Sequence, residues 1–147
     1  MSPSLINIFF LLLITPFDLS IAKHCPFGSK YTVYITNKLP SHSPKLTFHC
    51  ASKNDDLGYH DLAINQVFNW SFCEAILSRT LFFCHFWWGS KEKVFDVFND
   101  PYTCVKGTGN PNILTNCKWE ARADGFYLEL FNSTSETYYM YHYLEWS

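Results

Sequence analysis

Apolar and polar residues alternate with a period of two along most of this chain. Tyr31, Val33 and Ile35 alternate with Thr32, Tyr34 and Thr36. Leu46, Phe48 and Cys50 alternate with Lys45, Thr47 and His49, and Phe68, Trp70 and Phe72 with Val67, Asn69, Ser71 and Cys73. Cys117, Trp119, Ala121 and Ala123 alternate with Lys118, Glu120, Arg122 and Asp124. A strand sends successive side chains to opposite faces, so each segment predicts a strand with one core face. In Thr80–Trp88 both rows are apolar or aromatic except at His85. That segment reads as a central strand covered on both sides, or as one whose outer aromatics form a binding surface; the first reading is preferred. Lys93–Asn99 and Phe126–Phe131 are further strands. Tyr138–Tyr143 is read as a final edge strand in preference to an exposed aromatic docking patch.

Turn signals separate these elements. Leu39–Pro44 is rich in proline and serine, Lys53–Gly58 is a polar turn, and Gly89-Ser90 closes the central strand. Asp124-Gly125 is a short-hairpin signal. Lys106–Asn116 is a Gly/Asn/Pro loop. No segment carries a sustained helical period. The expectation is all-β: a small, disulfide-stabilised antiparallel β-sandwich of seven or eight strands.

The amino terminus follows another pattern. Leu5–Ile14 is an apolar run too short to cross a bilayer, and Ser20-Ile21-Ala22 places small residues ahead of Lys23. Residues 1–22 read as a secretory signal peptide and Lys23–Ser147 as a single domain. The expected product is secreted, extracellular and not membrane-spanning. With 11 basic and 13 acidic residues and no basic stripe, nucleic acid is not an expected partner.

Secretion changes the reading of the six cysteines. An even number in an oxidising compartment predicts three disulfides, with fifteen pairings open. Cys50 and Cys117 both belong to core-facing rows, Cys84 lies on an aromatic row with Cys104 soon after the next strand, and Cys73 faces outward. These positions favour Cys50–Cys117, Cys84–Cys104 and Cys25–Cys73, the last being least secure. No C-x₂₋₄-C spacing supports zinc. The sequons at Asn132 and Asn69 become candidate N-glycosylation sites, Asn132 the better of the two.

Catalytic signals are sparse. The histidines lack metal spacing, His49 and His85 read as surface residues bonded to carbonyls, and Asp55 and Asp56 read as turn residues accepting backbone hydrogen bonds. Asp96, set among apolar neighbours, calls for a partner such as Arg122. No nucleophile elbow or phosphate-binding loop occurs. A non-enzymatic recognition domain is expected, with no catalytic residue, metal or cofactor.

Six segments together carry a resemblance: Leu46–Cys50, Lys53–Gly58, Phe68–Phe72, Thr80–Trp88, Phe95–Phe98 and Cys117–Tyr127. In order, spacing and residue type they resemble the plant self-incompatibility S1 proteins and their S-protein homologues, from Tyr31 to about Leu130. The resemblance implies a small secreted β-sandwich, often glycosylated, without enzymatic activity. The founding member, in poppy, is a stigma ligand that acts on a pollen membrane receptor. Cys50, Cys84, Cys104 and Cys117 match the family's cysteines, which form two disulfides; Cys25 and Cys73 are additions. Asn65 stands where the family usually has glycine. Specificity in the founding member is ascribed to hydrophilic loops, which correspond here to Ser52, Lys53, Asn54, Asp55, Asp56, Leu57 and Gly58, with Phe72–Arg79 as a second loop. The expectation is an extracellular signalling ligand for a plasma-membrane receptor on a target cell; the alternative is a secreted defence or effector protein binding a microbial or host molecule.

Overall fold

The computed structural model describes Cys25, Pro26, residues 30–73, 80–99, Cys104 and residues 116–147. The expected signal peptide lies outside the described residues, as do most of the Phe72–Arg79 and Lys106–Asn116 loops. The strands are β1 (Lys30–Asn37), β2 (Leu46–Ala51), β3 (Asp56–Leu62), β4 (Val67–Cys73), β5 (Leu81–Trp88), β6 (Lys91–Asn99), β7 (Asn116–Arg122), β8 (Gly125–Asn132) and β9 (Thr137–Leu144). They form a five-stranded sheet in the order β4-β1-β7-β8-β9 and a four-stranded sheet in the order β3-β2-β5-β6. Pairings are antiparallel except β1 with β7, which run parallel.

The alternating rows meet between the sheets. Val33 and Ile35 of β1, Phe48 of β2, Phe86 of β5, Trp119 of β7 and Phe126 of β8 are fully buried. Burying one such side chain stabilises the fold by about 1.5–3 kcal/mol. Phe95 of β6 packs edge-on against Trp119 and Phe126, with ring centres 5.1 and 4.8 Å apart. Where the β5–β6 register shifts between Phe82 and Phe83, Val97 falls between the paired residues. Its carbonyl accepts the Trp119 indole N–H at 2.9 Å, so the bulge becomes a tie between the sheets.

Asn37 is the buried polar side chain of the core, with no exposed surface. Its Nδ2 donates to the Leu62 carbonyl at 2.8 Å and its Oδ1 accepts from Leu39 N–H at 2.9 Å. One side chain thereby joins the end of β1, the connection to β2 and the end of β3. Its backbone carbonyl accepts from the N–H of Asn65. Asn65 has φ +66°, a left-handed conformation that asparagine tolerates better than other non-glycine residues.

After β9 the chain crosses to β6. Ser147 and Glu92 exchange backbone hydrogen bonds of 2.9 and 3.5 Å. Trp146 inserts against Phe126 and Trp88, and its indole donates to the Arg122 carbonyl at 2.8 Å.

The expected strand number, Asp96 partner and disulfide pairing need correction. The described residues form nine strands rather than seven or eight: the polar turn expected over Lys53–Gly58 is shorter, and β3 begins at Asp56. Asp96 is bonded by Asn99, while Arg122 binds Glu120 on its own strand. The disulfides are Cys25–Cys73, Cys50–Cys84 and Cys104–Cys117. Cys50–Cys117 and Cys84–Cys104 are therefore not the pairs present. Cys50 and Cys84 stand directly opposite one another on neighbouring strands, Cα atoms 4.1 Å apart, whereas Cys117 belongs to the other sheet. Cys104 lies at the start of β7, where Cys117 is 5.4 Å away, Cα to Cα.

Candidate functional site

The β2–β3 connection is exposed but fastened. Ser52 N–H donates to the Asp55 carbonyl at 2.7 Å, closing the turn. Asp56 Oδ1 accepts from Gly58 N–H at 2.9 Å, and Gly58 holds φ +77°, a conformation that favours glycine. His49 Nε2 lies 2.6 Å from the same oxygen. The Gly58 amide first, and then His49, hold the Asp56 carboxyl below its ordinary 3.8. Leu57 turns inward against the core, and its carbonyl bonds His60 Nε2 at 2.6 Å. Lys53, Asn54, Asp55 and Asp56 remain exposed.

The turn leads onto the outer face of the four-stranded sheet. Tyr59, 71% exposed, stacks on His49 with centroids 4.5 Å apart and on Trp87 at 5.9 Å. Trp87 stacks on His85 at 3.8 Å. His85 Nε2 lies 3.0 Å from Glu92 Oε2. The two strand histidines thus face carboxylates and aromatic rings rather than the expected carbonyls. Phe83 and Val94 are exposed nearby, so the outer row of β5 lacks the cover favoured by the sequence reading. At the border, Asp61 accepts from Thr47 and Lys45, which lower its pKa in that order.

These residues come from β2, β3, β5 and β6. Their grouping depends on strand order, so the sequence reading found the loop and missed the Tyr59–Trp87–His85 row. Asn69 is exposed on the outer row of β4, opposite Tyr34. Asn132 is exposed at the end of β8, where its Oδ1 accepts from Thr134 and Ser135 N–H.

On the outer face of the larger sheet, an open groove of about 330 Å³ contains Lys118, Glu120 and Glu129. Lys118 lies 3.9 Å from Glu129, and Glu120 binds Arg122, so these charges are directed at one another. Among the described residues, no group of three or more His, Cys, Asp or Glu is placed to hold a metal ion. No helix there is long and apolar enough to cross a membrane. The arrangement suits recognition by a preorganised loop beside an aromatic surface.

A small disulfide-linked β-sandwich with these surface features defines the class. Residues 32–146 match the family described as Plant self-incompatibility protein S1. The chain belongs to that family. It is 36% identical to S-protein homolog 5 of Arabidopsis thaliana over 100 residues, 68% of this chain and 71% of the relative. It is 34% identical to S-protein homolog 3 of the same plant over 121 residues, covering 82% and 74%. With S-protein homolog 24 it shares 38% identity over 86 residues, covering 56% and 51%. The chain thus spans between half and three quarters of these relatives' lengths. Family membership supports a secreted, non-enzymatic plant protein.

Proposed function

We propose that the protein is an extracellular signalling ligand that binds a plasma-membrane receptor on a target cell through the Ser52–Gly58 loop. The observation that carries this reading is the loop itself, fastened by Ser52, His49 and Gly58 while Lys53, Asn54 and Asp55 project into solvent. A fastened loop loses little conformational freedom on binding. Its exposed side chains set specificity through clashes as well as contacts. In this reading residues 1–22 direct secretion and are removed, Lys23–Ser147 is the mature domain, and Asn132 and Asn69 carry glycans.

The test is a cell-surface binding assay with the labelled, oxidised protein. Its control replaces Lys53, Asn54 and Asp55 by serine and keeps Asp56 and Gly58, which hold the turn. Saturable binding to a plant cell type, lost in the control at unchanged melting temperature, is the expected result. Equal binding by the control, or no saturable binding to pollen or other plausible target cells, overturns the proposal.

A further inference from the structure

Among the described residues the sandwich has four edge strands, β3, β4, β6 and β9. An open edge presents unpaired backbone groups, and proteins guard it with charges, irregularities or covering chain. β3 carries Asp56 and Asp61, and its pairing with β2 shifts register between His49 and Ala51. β6 carries Lys91, Glu92, Lys93 and Asp96, and Ser147 closes on Glu92. β4 lacks charge, but it holds the Asn69 sequon at its centre and ends in the Cys25–Cys73 bond.

β9 is guarded only at its ends, by a register shift with β8 at Tyr143 and by the Asn132 sequon opposite Thr137. Its sequence, Thr-Tyr-Tyr-Met-Tyr-His-Tyr-Leu, contains no lysine, arginine, aspartate, glutamate or proline. From Thr137 to His142 its register with β8 is uninterrupted. Its tyrosines are exposed on both faces: Tyr138 by 52%, Tyr139 by 46%, Tyr141 by 50% and Tyr143 by 41%. Tyr139 and Tyr141 lie opposite Leu130 and Leu128, hence on the core side of the sheet. They are nevertheless half-exposed. Among the described residues, ring contacts between the sheets reach Phe126 of β8 and not β9.

We propose that β9 pairs antiparallel with β9 of a second copy, joining two five-stranded sheets across a two-fold axis. Pairing centred on Met140 sets Tyr139 opposite Tyr141 of the partner subunit, and Tyr138 opposite His142 of the partner subunit. No like charges meet at any register within the strand. An aromatic side chain buries 150–250 Å² when covered, so four half-exposed tyrosines offer about 400 Å² per copy, or about 800 Å² in all. Strand backbones add to this, which places the contact at the small end of specific interfaces, where association is weak and reversible.

The test is sedimentation equilibrium of the folded, oxidised protein. Weight-average mass should rise from one chain toward two between about 1 and about 100 µM. Tyr139→Lys with Tyr141→Lys, and separately Tyr139→Glu with Tyr141→Glu, should each remain monomeric with native near-ultraviolet circular dichroism. An equimolar mixture of the two doubly substituted proteins should regain the dimer, an outcome that loss of folding cannot produce. Val67→Lys on the β4 edge should change nothing. A wild-type protein that stays monomeric throughout this range, a mixture that fails to associate, or dimerisation abolished by Val67→Lys overturns the proposal.

Discussion

Replacing Asn37 by alanine removes two hydrogen bonds at a position without access to water. The Leu62 carbonyl and the Leu39 N–H lose their side-chain partner. A buried polar group left unmade costs about 1–3 kcal/mol, so the two together cost about 2–6 kcal/mol. Water entering the space vacated by the amide offsets part of this, and the expected loss is about 3 kcal/mol. Against a typical total of about 5–15 kcal/mol, that is a large fraction. The measurement is urea unfolding followed by tryptophan fluorescence with the disulfides intact, where the midpoint should fall at unchanged slope. Asn37→Leu separates the causes: it refills the space without restoring either bond, so it should be as harmful as alanine. A loss below about 1 kcal/mol for the leucine variant would refute the polar reasoning and leave only a packing defect.

Trp146→Ala should cost about 2–3 kcal/mol, less than a fully buried tryptophan, because the side chain is only part-buried; thermal unfolding reads the shift. Gly125→Ala should abolish secretion of folded protein, because at φ +140° a Cβ would collide with the Leu144 carbonyl oxygen and the His142 ring; secretion yield reports it. Asp56, Asp61 and Asp124 all have lowered pKa values, from Gly58, Thr47 and Tyr127 respectively as leading causes. The unfolded chain therefore binds more protons than the native one in mildly acid solution, and stability rises with pH there. The contribution is complete above the ordinary 3.8 and disappears as pH falls through the lowered native values. Melting temperature measured downward from pH 6 should fall most steeply below about pH 4, and Asp56→Asn should flatten that fall.

The one-sided rows of β1, β2 and β7 were legible because a period of two and a buried face reinforce one another. β3 was not. Asp-Leu-Gly-Tyr-His-Asp-Leu has little apolar alternation, and its strand form depends on pairing with β2. The cysteine rows gave the face of each residue but not its neighbour, since which strands lie side by side is a property of the whole topology. That is why two bridges were paired wrongly in the sequence reading. The recognition loop was visible from its composition. The adjacent ring row was not, since Tyr59, Trp87 and His85 meet only once β3, β2 and β5 are side by side. Asn37 gave no signal either; nothing local distinguishes a buried asparagine that joins three segments from one in a turn.

The parallel pairing of β1 with β7 has a consequence for the order of assembly. β2, β3, β5 and β6 are hairpin neighbours or near neighbours in sequence, so the smaller sheet can form early. β1 sits inside the larger sheet between β4 and β7. It gains β4 soon after synthesis, but its other side waits until Asn116–Arg122 has been made. Closing so long a loop before any contact rewards it is slow. During that interval Val33 and Ile35 lack the cover that Trp119 and its neighbours later provide. The step most open to failure on the way to the native protein is therefore the arrival of a single strand, well after the smaller sheet is complete.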